Sequence, residues 1–314
     1  MNPGNPAPSG PPKTPWKKSV VAITSITLMG VAIAIIGYTS VYDNHESFGI
    51  VMFCLLPFLV GFPIGYAAMD TKVVKWSLIL TGVISFGFLM ITRLEGWICC
   101  CMALPLITLF VLPGALIGHW VRKRLESRAN PHALLGIVLV CSAGIFTGAA
   151  EVEKPYRNRA RYETFETRVL IPAPPERAWA LIERMDKVEA EKPFLIRIGL
   201  PTPLRCELEN KNVGGKRICI FDKGRIEQEV TGWDPPRSMT TRITGNTLPG
   251  RRWLGFRTAG YDFTPVDGGT EVTRKSEISS RLYPRWYWRP LEAWGVLSEH
   301  AYVLSSVERR ARGL

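Results

Sequence analysis

Five stretches of this 314-residue chain, residues 19–38, 47–69, 76–92, 96–118 and 133–150, contain no Asp, Glu, Lys or Arg. A helix rises about 1.5 Å per residue, so some twenty residues cross roughly 30 Å of hydrocarbon. Each stretch therefore reads as a transmembrane helix. A cleaved secretion signal at 19–38 is the competing reading, disfavoured because the run is long and further apolar runs follow. Pro57, Pro63, Pro105 and Pro113 fall inside the runs and read as kinks, since no run carries an ionisable residue that would move an ion or proton.

The last run stops abruptly where Glu151 opens a charged linker. Up to Ala150 the chain has 10 Lys and Arg against 5 Asp and Glu; from Glu151 onward it has 29 against 22. Scarce charge in the first half is what hydrocarbon demands, and the excess of base lies at helix ends or is dispersed over the second half. Without a Lys/Arg run or a nucleic-acid-binding signature, the implied partner is a lipid bilayer and not nucleic acid; protein partners stay open. The plan is a Pro-rich disordered tail at 1–16, a multi-pass membrane region at 17–150, a linker at 151–163 and a folded domain at 164–312.

Basic loops alternate with non-basic ones. Lys13, Lys17 and Lys18, then Lys72 and Lys75, then Arg122 to Arg128 fall on one side; Asp43 with Glu46, and Arg93 with Glu95, fall on the other. This alternation places the amino terminus in the cytoplasm, and five crossings then leave the second half outside. Lys154, Arg157, Arg159 and Arg161 pull the other way, although long translocated domains respond little to such charges.

After the linker the hydrophobic period changes. Phe165, Thr167, Val169 and Ile171 alternate with Glu166 and Arg168, the pattern of a half-buried strand. Prolines end it and open a helix striped by Ala178, Leu181, Ile182 and Met185. Strands are expected at 204–209, 216–221, 225–233, 238–244, 253–264 and 270–279, joined by short Gly-, Asp- and Pro-bearing turns that make neighbours antiparallel. A final helix near 289–312 opens at Pro290 and carries Leu291, Trp294, Leu297, Ala301, Leu304 and Val307. The fold class is thus an all-α transmembrane bundle followed by an α+β domain whose curved antiparallel sheet wraps the last helix.

Val169-Leu-Ile-Pro-Ala-Pro-Pro-Glu-Arg-Ala-Trp, Trp233-Asp-Pro-Pro-Arg and Tyr261-Asp-Phe-Thr-Pro-Val-Asp-Gly-Gly-Thr-Glu-Val-Thr resemble the SRPBCC or START-like superfamily, in its polyketide cyclase/dehydrase-like branch. The resemblance spans about 164–312 and implies a helix-grip fold with an apolar cavity for a lipid, polyketide or other hydrophobic molecule. These motifs mark corners and turns, so they speak to fold more than to activity.

P-loop, dinucleotide-binding and metalloprotease motifs are missing, and the four histidines stand far apart, so neither a cofactor nor a metal is expected. The expected cavity residues are Trp253, Arg257 and Tyr261 on one strand, Arg274 and Ser276 on the next, Gln228 on a third and Trp294 on the closing helix. An arginine facing an apolar cavity needs an anion, so Arg257 or Arg274 could hold a carboxylate or phosphate; reaching water at a strand end is the plainer role. No catalytic residue is assigned, Glu299 and His300 being adjacent on a helix and so on different faces. Cys54, Cys99, Cys100, Cys101 and Cys141 read as small apolar residues, with acylation of the triplet as the alternative. If Asn210 stands opposite Gly215, Cys206 and Cys219 face each other and can form a disulfide; a one-residue slip would part them. The aromatic and arginine run 283–290 suits a bilayer interface or the cavity mouth. A membrane-anchored domain binding a hydrophobic molecule is the leading expectation. A membrane-tethered cyclase or dehydratase, or a non-catalytic partner-binding protein, is the alternative.

Overall fold

The computed structural model of the chain describes residues 16–44, 49–92, 94–125, 131–157, 161–251 and 254–313. The 1–15 part of the tail lies outside these, and Trp16 already begins a helix. The first half is helical: α1 (Trp16–Asn44), α2 (Leu56–Ala67), α3 (Thr71–Ile91), α4 (Trp97–Leu125) and α5 (Pro131–Arg157). A π-helical turn, Val51–Leu55, leads into α2. Four of the helices are long and apolar enough to cross a membrane; the piece Val51–Ala67 is shorter. It is also the most enclosed, with Leu59, Val60, Ile64 and Tyr66 all buried.

That enclosure has a cause in the sequence. Gly61 and Gly65 on α2 meet Gly114 and Gly118 on α4, both pairs spaced four apart. A Cβ on Gly61 or Gly65 would strike the carbonyls of Val111 or Ala115, and one on Gly114 or Gly118 those of Phe58 or Phe62. Small residues at this spacing let two backbones touch, the packing that serves helices lacking a hydrophobic driving force between them. The matched numbers make α2 and α4 parallel. Gly30 against Ile64 and Gly37 against Leu56 make α1 antiparallel to α2.

The bundle therefore has two distinct ends. At one, Arg122 lies over the Tyr66 ring, His119 reaches the carbonyl of Ala68, and the Lys-bearing starts of α1 and α3 gather. At the other, the Tyr38 hydroxyl donates to Glu95 at 2.9 Å, and Glu153 near the end of α5 accepts from the N–H of Val51 at 3.2 Å. Outward faces carry Leu28, Val83, Leu109, Leu116, Ile137 and Val140, all exposed.

The second half is β1 (Arg161–Ile171), α6 (Pro175–Glu183), α7 (Phe194–Arg197), β2 (Pro203–Leu208), β3 (Lys216–Phe221), β4 (Gly224–Asp234), β5 (Ser238–Asn246), β6 (Leu254–Val266), β7 (Gly269–Ser280) and α8 (Arg285–Ala311). The strands form one antiparallel sheet in the order β1-β7-β6-β5-β4-β3-β2, curled into a half-barrel with α8 in its concavity. Burial along β1 alternates as its sequence requires. The core joins Ile171, Ala178, Trp179, Ile182, Val272 and Leu304, and Trp179 packs edge-on against Trp233 with ring centroids 4.9 Å apart.

Two expectations for α8 are corrected. The helix begins at Arg285 after Pro284, with Pro290 inside it, one turn earlier than the proline suggested. Its buried stripe runs through Glu292, Val296, His300, Val303, Leu304 and Val307, leaving Trp294, Leu297 and Ala301 exposed. A stripe read from apolar residues alone misses this rotation, because several inward positions of α8 are polar and find partners inside.

Candidate ligand cavity

A cavity of about 150 Å³ lies between the half-barrel, α8 and the first turns of α4. Its wall is mostly apolar, with Ile226, Ile243, Leu254, Phe256 and Ala259 from the sheet and Val296 and Val303 from α8. Gly96, Ile98, Cys99 and Met102 complete it from the helical half. The two halves meet here: Trp288 is buried against Phe53 with centroids 4.7 Å apart, Leu282 packs on Ala103 and Leu106, and the Tyr287 hydroxyl donates to the carbonyl of Met102. The aromatic run opening α8 thus joins the half-barrel to the bundle, at the end away from the basic residues.

Of the residues expected to line this space, Gln228, Tyr261, Arg274 and Ser276 do. Arg257 does not: it is exposed, its Nη1 3.3 Å from Glu277, and it lies over the Tyr162 ring. The register of β6 against β7 shifts between Phe256 and Thr258, so the extra residue there turns Arg257 outward and moves the inward set from Leu254 and Phe256 to Ala259 and Tyr261. Trp294 stacks on Phe194 outside the cavity, centroids 6.0 Å apart. Trp253 lies outside the described residues. Cys206 and Cys219 stand opposite each other on β2 and β3, Cα atoms 4.0 Å apart and sulfurs bonded, and both touch the cavity.

The polar groups differ in what satisfies them. Gln228 Oε1 accepts from Thr241 at 2.9 Å, and Ser276 Oγ lies 2.8 Å from His300 Nε2. His300, fully buried, has its other nitrogen 3.0 Å from Thr167. Burial, helped by the nearby Arg274 charge, pushes its pKa down to about 2, so the imidazole is neutral. Arg274 pairs with Glu299 at 2.7 Å; burial is the largest single influence and works against its charge, but Glu299 and Tyr261 together outweigh it and the pKa is raised. Glu292 accepts from Ser280 and pairs with Arg285 at 2.8 Å, with burial pushing its carboxyl up against that pairing.

Arg217 is the residue that sequence reasoning missed. It is 2% exposed, and its Nη2 donates to the carbonyl of Ile182 at 3.2 Å, in the last turn of α6. Its guanidinium lies 5.8 Å from the centroid of Tyr261, and that of Arg274 lies 5.4 Å from the same ring. Burial, joined by the Arg274 charge, lowers its pKa. A guanidinium stays protonated even so, and a buried ion costs several kcal/mol unless paired. Cation–π contact returns only about 0.5–2 kcal/mol. Strand parity could have found it, since Arg217 is two residues from the inward Cys219.

Residues 162–312 match the family described as polyketide cyclase / dehydrase and lipid transport. Among solved structures, an uncharacterized protein from Rhizobium leguminosarum is 14% identical, with 50% of this chain and 98% of that one covered and a TM-score of 0.36. A protein from Thermus thermophilus is 16% identical over 48% of this chain and 98% of its own, TM-score 0.37. One from Mycobacterium smegmatis is 16% identical over 50% and 98%, TM-score 0.35. No curated protein matches the chain.

Proposed function

We propose that this chain is an integral membrane protein whose half-barrel holds a lipid or another hydrophobic small molecule drawn from the adjacent leaflet. The observation that carries the reading is that Ile98, Cys99 and Met102, at the start of an apolar helix, form part of the cavity wall. A molecule leaving the bilayer beside α4 would then meet the cavity without crossing open water. The exposed apolar faces of the helices need a lipid surround, since a contiguous greasy surface of this size is unfavourable in water. Trp16, Trp76 and Trp120 at the basic end, with Trp97 and Trp286 at the other, are exposed where aromatic belts would sit. The lipid-transport wording of the matched family points the same way.

The basic end is the cytoplasmic one on this reading, which puts the half-barrel and its Cys206–Cys219 bridge on the oxidising side. The test of ligand binding is solvent extraction of the full-length protein purified in a mild detergent, followed by lipid mass spectrometry, beside an Ala259→Trp variant that fills the cavity. A hydrophobic species enriched in the wild type and lost in the variant is the expected result; identical extracts would contradict the reading.

One observation favours a second reading, a membrane-tethered cyclase or dehydratase. Glu292 touches the cavity and its carboxyl is pushed up by burial, as a proton donor's would be. Its engagement by Ser280 and Arg285, which also binds Glu163 on β1, ranks a structural role first. Glu292→Gln separates the two: turnover of a bound polyketone lost with ligand retention intact would favour the enzyme.

A further inference from the structure

We infer that the cavity is built for an anionic amphiphile, one bearing a carboxylate or phosphate that Arg217 and Arg274 receive beside Tyr261. The inference rests on the hydrophobic-ligand reading above and adds the chemistry of the head. Three nitrogens point to it: Arg217 Nε, Arg274 Nε and Arg274 Nη1 are buried and have no acceptor among the described residues. Both side chains line the same cavity and lie over the same ring. Tyr261 offers Arg217 a phenol oxygen but no formal charge, and Glu299, the carboxylate close enough to offset both guanidinium groups, is engaged by Arg274. Glu292, the other carboxylate on the wall, is engaged by Arg285 and Ser280. Arg217 therefore carries its charge into an apolar enclosure with no ion-pair partner among the described residues.

An anionic head accepting from these nitrogens would supply both the missing acceptor and the missing charge, as planar guanidinium groups do for carboxylates and phosphates. Lys223, exposed near Gly199 at the edge of the cavity, adds a positive charge on the way in. The volume of about 150 Å³ holds a head with a short length of chain. A longer tail would have to leave past Ile98 and Met102, toward the bundle. The competing role for Arg217 is structural, since its bond to Ile182 places a cation at the C-terminus of α6.

The test uses the full chain in a non-ionic detergent, read by native mass spectrometry and by the thermal unfolding midpoint. The probes are dodecanoate, dodecyl phosphate, 1-dodecanol and inorganic phosphate. We expect dodecanoate or dodecyl phosphate to be retained at least tenfold over 1-dodecanol, and that preference to vanish in Arg217→Gln while surviving in Arg217→Lys. Equal retention of the acid and the alcohol by the wild type would overturn the anionic head and leave hydrophobic binding standing; this comparison needs no variant to fold. A preference that persists in Arg217→Gln, with only the midpoint lowered, would assign Arg217 to α6 alone and also overturn it. Inorganic phosphate raising the midpoint as much as dodecyl phosphate would replace the amphiphile by a free anion. No retention of any chain-bearing probe, with Ala259→Trp indistinguishable from wild type, would remove the hydrophobic-ligand reading itself.

Discussion

The crossing of α2 and α4 and the concavity of the half-barrel solve opposite problems. At the crossing, Gly61, Gly65, Gly114 and Gly118 remove side chains so that backbone meets backbone, and nothing is left between the helices. In the half-barrel, large side chains stand back from one another and leave a hollow, into which Arg217, Arg274, Glu299 and Glu292 project. Among the described residues, the crossing buries no carboxylate, lysine or arginine. A protein that only needed a stable barrel would have filled that space with carbon, since well-packed apolar residues commonly match or better a buried ion pair. One region is closed by design of its sequence, and the other is kept open and charged.

The comparison breaks most visibly at the crossing. Gly65→Leu drives a side chain into the Ala115 carbonyl and should cost about 3 kcal/mol or more, against little for leucine at Gly136, where a Cβ meets nothing within 4 Å. Thermal unfolding of the two variants in detergent measures the difference. Opening the Cys206–Cys219 bridge in the half-barrel should cost about 2–4 kcal/mol. Reductant should therefore lower the midpoint of the wild type and leave a Cys206→Ser/Cys219→Ser double variant unmoved. Thiol blocking before and after reduction would also report whether the bridge exists in the cell.

The buried histidine sharpens the contrast through pH. His300 has a pKa of about 2 folded against 6.5 in the unfolded chain, so the unfolded state binds the extra proton as pH falls below 6.5. Stability from this group is complete above that value and declines on acidification, by about 2 kcal/mol between pH 6.5 and roughly pH 5. His300→Gln should flatten that part of the profile. The smallest effect is expected at Glu163, which is 20% exposed and ties β1 to the start of α8 through Arg285 and Arg289. Glu163→Gln should cost about 1 kcal/mol, measured by the same unfolding assay.

Much of the architecture was legible because it rests on local chemistry. Uncharged runs name the apolar helices, alternation from Phe165 to Ile171 names β1, and the Gly- and Pro-bearing turns name the antiparallel order. The site was legible only in part, for three physical reasons. A single extra residue at Arg257 reversed the facing of half of β6, and no residue type there announces a bulge. The inward face of α8 holds Glu292, Ser298 and His300, so an apolar template rotated the helix and placed Trp294 wrongly. Arg217 was passed over because a strand arginine normally points to water; its burial depends on the register of β3 between β2 and β4.

The central claim is that the half-barrel keeps a hollow, continuous with the membrane face, for a greasy ligand with a charged head. A crystal structure of the full chain grown from a lipidic mesophase tests it most directly. The account expects elongated density running from the Arg217 and Arg274 guanidinium groups, past Phe256, toward Ile98 and Met102. A cavity closed by Leu254, Phe256 and Tyr261 collapsing onto α8, with Arg217 turned to solvent, would contradict it.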